Sequence, residues 1–325
     1  MLDFKNIKIK RLSFFLESFP KVNIKLLVTL LCFLFVGSSI SGNFEELANQ
    51  NITLREVIWL LGGIFFSFLS IIINAYAWKL LINSIGCDSS KLNILKIFLS
   101  TNIYKYLPGG VWHFVSRYNF LKSKFSTEKS VESILLEPLL MLVSATLFIP
   151  FGNFNIYLYI LCWSSIIVFQ TGLRKFIIKK LKGIKSNIFI NFNRMNNSEL
   201  VYNSEHIYSK TFYPYRPLLV EIVFILFRFF GFLCCINAFF FGSFISQFEL
   251  ISFFSLAWII GLLIPAAPGG VGVFESVILL CLGSKLPEAP LLASLLCYRI
   301  VSTISDVFAA LVYPVKRLWK NQIKY

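Results

Sequence analysis

A nine-residue pattern occurs twice inside long apolar stretches of this chain. It reads Pro108-Gly109-Gly110-Val111-Trp112-His113-Phe114-Val115-Ser116 and then Pro268-Gly269-Gly270-Val271-Gly272-Val273-Phe274-Glu275-Ser276, with six of nine positions identical and an offset of 160 residues. Proline removes a backbone donor and glycine tolerates positive φ, so each copy interrupts whatever helix carries it. Inside hydrocarbon an interruption strands amides and carbonyls, which is tolerated only where protein or a wet cavity surrounds them. One break in each half of a membrane chain is the sequence mark of paired discontinuous helices around a transport site.

The surroundings are apolar enough for a bilayer. The chain is 57% hydrophobic and 14% charged, with a mean hydropathy of +0.73, whereas soluble domains are roughly 25% charged. The apolar runs are continuous and lack the alternation of a barrel strand, so the expected class is an all-α polytopic integral membrane protein. Runs near the ~20 residues that cross a bilayer fall at 24–42, 56–82, 133–152, 154–173, 218–242 and 289–313. The segments 92–121 and 249–283 carry the two breaks. The expected architecture is therefore about six full spans plus two Pro-Gly-Gly re-entrant or broken helical hairpins, in a single transmembrane domain over 1–325.

The formal charge of +15 lies in loops and tails beside the spans, where insertion asymmetry puts it, and so implies no nucleic-acid partner. The N-terminal segment with Lys5, Lys8, Lys10 and Arg11, the basic loop 174–217 and the tail with Lys316 and Arg317 are all expected to be cytoplasmic. Segment 24–42 is expected to stay as an uncleaved first span. Counting crossings from a cytoplasmic N-terminus, 92–121 enters and leaves on the cytoplasmic side. The stretch 249–283 then starts and ends outside, either as a second hairpin or as a full span followed by a half-helix. The order span, hairpin, span over 56–152 matches that over 218–313 in inverted orientation.

The candidate substrate-binding residues follow from the breaks. Pro108, Gly109, Gly110, Pro268, Gly269 and Gly270 allow close backbone approach, and the helices restarting at Val111 and Val271 aim free N–H groups at an anionic guest such as a lipid phosphate. His113 and Arg117 share one face of the first restarting helix, while Glu275 lies in the first turn of the second. These charges are expected either to pair with one another or to receive the two charges of a zwitterionic headgroup. Glu137, Glu221, Arg228, Arg299 and Asp306 are ionisable within spans and functional candidates by default. Glu221 with Arg228, and Arg299 with Asp306, are seven residues apart and share a face. Trp59, Trp78, Trp163 and Trp258 fall near span ends and read as interfacial anchors. The cysteines lack CxxC spacing, and neither a metal site nor a cofactor is expected.

The segment Ile264-Pro265-Ala266-Ala267-Pro268-Gly269-Gly270-Val271-Gly272-Val273-Phe274-Glu275 resembles the signature of the lysylphosphatidylglycerol synthase/flippase transmembrane-region family. Tyr106-Leu107-Pro108-Gly109-Gly110-Val111-Trp112 with Arg117 is similar to its earlier motif, and Tyr298-Arg299 in the last span fits as well. The resemblance implies a multi-pass protein of a bacterial or archaeal inner (plasma) membrane, with lipid translocation as its activity. Two departures stand out: with the sequence ending at Tyr325, the aminoacyltransferase activity of bifunctional members is not expected, and Trp112-His113 replaces a Gly-Glu that many relatives carry. The expectation is a non-enzymatic lipid transporter or flippase of cell-envelope biogenesis. Arg117, Glu275 and Arg299 would set its charge selectivity, and its substrate would be a membrane lipid or polyprenyl-linked lipid. Alternatives are a membrane-embedded glycosyl or acyl transferase, or an auxiliary subunit with an envelope glycosyltransferase as partner.

Overall fold

In the computed structural model the described residues are 53–107, 110–152, 155–169, 213–240, 245–264 and 272–311, with Ser38, Ser41 and Glu45 singly. All regular structure among them is helical. Most of the expected span 24–42, most of the basic loop 174–217, the C-terminal tail and the residues Pro108, Gly109, Pro268, Gly269 and Gly270 lie outside the described residues.

Among the described residues four helices are long and apolar enough to cross a membrane: α1 (Leu54–Ser84), α4 (Thr127–Thr146, extended by a 3-10 turn to Gly152), α6 (Tyr215–Phe239) and α9 (Glu288–Leu311). They coincide with four of the expected spans, and they carry exposed Leu61, Phe65, Ile300 and Phe308 as a lipid-facing surface. The start of α1 is fixed by Glu56, whose carboxylate accepts the Thr53 N–H at 2.7 Å and the Thr53 hydroxyl, satisfying a donor left open by the first turn.

At the centre α1 crosses α6 through small residues. A Cβ added to Gly231 would stand 2.5 Å from Ser67 Oγ and 3.3 Å from the Gly63 carbonyl oxygen, and one added to Gly63 would stand 3.3 Å from that of Gly231. Close backbone approach is how helices gain dispersion contact where no water can drive association. Both α1 and α6 also pack on α4 and α9, which makes a four-helix frame.

The expected breaks appear as two helical hairpins on this frame. In the first, α2 (Ile94–Asn102) and a 3-10 turn (Ile103–Tyr106) lead to the break, and α3 (Trp112–Lys122) restarts beyond it. In the second the partners are α7 (Gln247–Leu263) and α8 (Val273–Leu282). Proline sets both stopping points: it excludes helical ψ from the residue before it, and Leu107 (ψ 147°) before Pro108 and Ile264 (ψ 83°) before Pro265 are the residues that leave the helix. Gly110 continues the first turn at φ 62°, a left-handed conformation that favours glycine, and donates its N–H to the Leu107 carbonyl at 3.1 Å.

Contacts sit almost symmetrically about each break. Thr101, seven residues before Pro108, meets Arg117, eight after Gly109. Gly261 approaches Phe274 near the second break, and Glu249 at the start of α7 is ion-paired with Lys285 just past the end of α8. The stretch 249–283 thus doubles back, so its two ends lie at one level. The helices α2, α3 and α8 are 9, 11 and 10 residues long, or about 14, 17 and 15 Å, which is half the ~30 Å hydrocarbon thickness.

The hairpin mouths lie at opposite ends of α4. Four residues separate α3 from the start of α4, where Lys129 donates to the Gly86 carbonyl at 2.8 Å. At the far end Ser252 of α7 approaches Gly152 and donates to the Ile149 carbonyl, while Phe248 stacks on Phe151 with centroids 6.0 Å apart. Each hairpin has its own apolar core: Trp78, Phe98, Leu121 and Leu136 around the first, Phe229, Phe232, Phe254 and Phe274 around the second.

The expected span 154–173 takes a different form over its described part. It is a short helix, α5 (Ile156–Trp163), that tightens to 3-10 geometry over Ser164–Phe169. The change comes at Ser164, whose hydroxyl donates to the Leu161 carbonyl at 2.7 Å and competes with the regular ladder. The restarting helices also begin slightly later than expected, at Trp112 and Val273.

Candidate functional site at the hairpin tips

Residues flanking both breaks come to rest along one helix, α9. At the second tip Glu275 Oε1 accepts from Arg299 Nε at 2.7 Å and from Arg299 Nη2 at 2.6 Å. Two turns further along α9, Asp306 gathers the first tip: Oδ1 accepts from Asn102 Nδ2 at 2.7 Å, and Oδ2 accepts from the Tyr106 hydroxyl at 2.6 Å and Lys105 Nζ at 2.7 Å. Seven residues of helix separate Arg299 from Asp306, about 10 Å, so the tips are neighbours. Arg299 lies eleven residues from the start of α9 and twelve from its end, which puts the junction near the middle of that helix.

Glu275 does two jobs. While Oε1 holds Arg299, Oε2 accepts the Gly272 N–H at 2.7 Å, the reach-back of an N3 acid to its N-cap. Gly272 has φ 88° and no side chain to reciprocate, so this is half a capping box. Ser276 Oγ adds a bond to the Gly272 carbonyl at 2.6 Å. The carboxylate of Glu275 thus satisfies the backbone N–H of the residue that caps α8.

The first restarting helix carries a pair of the opposite polarity. Arg117 Nη1 donates to Glu137 Oε1 at 2.6 Å and to Oε2 at 2.7 Å, and Nε donates to Thr101 Oγ1 at 3.3 Å. Its guanidinium stacks 3.6 Å from the Phe98 ring centroid and 5.4 Å from that of Trp78. Arg117 and Glu137 are 1% and 6% exposed, whereas Arg299 is 24% exposed. His113 is half-buried against Phe114, with centroids 3.9 Å apart.

The charges therefore find partners that the sequence spacing did not suggest. Arg117 and Glu275 do not pair with each other; each is held by the long helix that follows its own hairpin. Arg299 and Asp306 share a face yet divide between the two tips. Glu221 lies within electrostatic reach of Arg117 and Glu137, and Arg228 within reach of Asp306, Tyr106 and Tyr298, so these two do not neutralise each other either. Trp78 is 1% exposed and Trp258 carries the Arg228 guanidinium 5.5 Å from its ring, so neither is a simple interfacial anchor. Asn102 and Lys105 were not singled out from sequence, although a lysine three residues before Pro108, inside an apolar hairpin, was a usable signal.

Buried ion pairs delivered by two broken hairpins to the middle of a helical frame define a polytopic membrane protein with a charged internal junction. The chain belongs to the lysylphosphatidylglycerol synthase transmembrane-region family, whose model matches residues 22–310. That membership connects it with membrane lipids. No curated protein matches the chain.

Proposed function

We propose that the chain is a flippase-like lipid transporter of the cell envelope, residing in the inner (plasma) membrane with both termini cytoplasmic. The observation that carries this reading is the meeting of the two hairpin tips on α9, with the Glu275–Arg299 pair as its more open part. An anionic or lipid-linked headgroup exchanges ion-pair partners there while its acyl chains remain in the bilayer.

A matched contact pattern in the two halves supports the reading. Let α1, α2, α3 and α4 correspond to α6, α7, α8 and α9. Contacts α1–α9 and α6–α4, α2–α9 and α7–α4, α1–α4 and α6–α9, and α3–α4 and α8–α9 then occur as matched pairs, with α1–α6 on the axis. The mouths at opposite ends of α4 fit hairpins entering from opposite faces, the arrangement by which one site is reached alternately from each side. The alternative of a transferase is less well supported, because Glu137, Glu275 and Asp306 are each tied to a cation and not free for acid or base work.

The test is leaflet-resolved translocation in proteoliposomes, with anionic phospholipid and polyprenyl-phosphate lipid supplied separately. Movement of one of them faster than in protein-free vesicles is expected, and its loss in Glu275→Gln. A covalently altered lipid after incubation with a sugar or acyl donor would reverse the assignment.

A further inference from the structure

Arg228 is a cation of the junction that the reading above leaves unused. It lies thirteen residues from the start of α6 and eleven from its end, about 20 and 17 Å from them, and is 5% exposed. Its Nε and Nη1 find no hydrogen-bond acceptor among the described residues. The nearby carboxylates are engaged by other donors. Both oxygens of Asp306 are taken by Asn102, Tyr106 and Lys105, and both oxygens of Glu275 by Arg299 and Gly272. Arg228, Lys105 and Arg299 thus stand against two carboxylates, and Arg228 is the surplus positive charge.

Two further buried donors lie close to it among the described residues. Trp258 of α7 lies under the guanidinium, and its Nε1–H is buried without a partner. The Tyr298 hydroxyl of α9, within electrostatic reach of Arg228, is likewise unpartnered. An indole and a guanidinium can only donate, and a tyrosine hydroxyl can donate. A desolvated cation with spare donors persists inside a membrane protein chiefly where function requires it.

We propose that Arg228, Trp258 Nε1 and Tyr298 Oη form an oxyanion-binding site that takes a phosphate group, with the phosphodiester of a membrane lipid as its source. Only the choice of a lipid as source rests on the lipid-handling reading above. The three donors come from three helices, and an arginine fork suits the paired oxygens of a phosphate. The planar ring of Trp258 holds the guanidinium from one side.

The test uses the full chain in detergent, titrated with dioctanoyl phosphatidylglycerol, dioctanoylglycerol and inorganic phosphate, with binding followed by thermophoresis. Phosphatidylglycerol should bind and dioctanoylglycerol should not. Arg228→Gln should weaken phosphatidylglycerol binding by at least about tenfold, and Trp258→Phe, which keeps the ring and removes the donor, by about tenfold or somewhat less. If inorganic phosphate binds with the same dependence on Arg228, the oxyanion site stands and its source is free phosphate. If Arg228→Gln and Trp258→Phe both bind phosphatidylglycerol as the unaltered chain does, the site is refuted. Thermal unfolding guards against a folding defect: without ligand Arg228→Gln should unfold at or above the temperature of the unaltered chain, and unfolding well below it would make Arg228 a structural residue. Binding that is lost while translocation persists counts against this site alone. Binding that persists while no lipid is translocated upholds the site and counts against the transport reading.

Discussion

The two restarting helices solve the same problem with opposite charges. In the first half the hairpin supplies Arg117 and the long helix supplies Glu137; in the second the hairpin supplies Glu275 and the long helix supplies Arg299. The first pair is sealed under Phe98 and Trp78, at 1% and 6% exposure, and the second leaves its arginine 24% exposed. A sealed pair must keep its partners, since either charge left alone in a low dielectric is costly, whereas a half-open pair can trade one partner for a ligand. The first half reads as the frame and the second as the working side.

Breaking the sealed pair should have the largest effect. Arg117→Met strands Glu137, and a loss of about 3–5 kcal/mol is expected, visible as a lower unfolding temperature or loss of the monodisperse peak. The double variant Arg117→Met with Glu137→Leu should recover much of it. If the single variant is as stable as the unaltered chain, the contrast between the halves fails.

Packing at the axis comes next. Gly231→Val forces α1 from α6 where Ser67 and Gly63 already crowd the backbone, and about 1–3 kcal/mol of overpacking follows. An unshifted unfolding temperature would mean that the crossing is loose. Gly110→Ala places a Cβ at φ 62° in open space, so its cost of about 1–2 kcal/mol is purely conformational and should appear in the same measurement. Smallest is Glu249→Gln. Its pair with Lys285 is well exposed, and no more than about 0.5 kcal/mol is expected once solvent screening is allowed for. A loss as large as that of Arg117→Met would mean that the mouth of the second hairpin, and not the sealed pair, carries the stability.

Much of the fold was legible because its causes are local. Pro108 acts on the residue just before it, and four long helices fall on expected spans, whereas α7 already stops before Pro265, three residues ahead of the Pro-Gly-Gly that marked the second break. Within 249–283 the contact of Glu249 with Lys285 brings both ends of the segment to one level. The site was less legible because its partners are remote. Asp306 meets Asn102, Tyr106 and Lys105 roughly two hundred residues earlier in the chain, and helical spacing suggested pairing along one helix where packing arranged pairing between helices. Trp78 shows the same limit: position near a span end suggested an anchor, yet α2 and α3 cover it from the side.

The most direct test of the account compares two variants in one proteoliposome translocation assay. Glu275→Gln should fold and insert yet move lipid at least about tenfold more slowly, the loss expected for one charge-assisted contact. The stability-matched double variant Arg117→Met with Glu137→Leu should retain most of the activity. Full transport by Glu275→Gln, or equal loss in both, would contradict a working second half and a structural first.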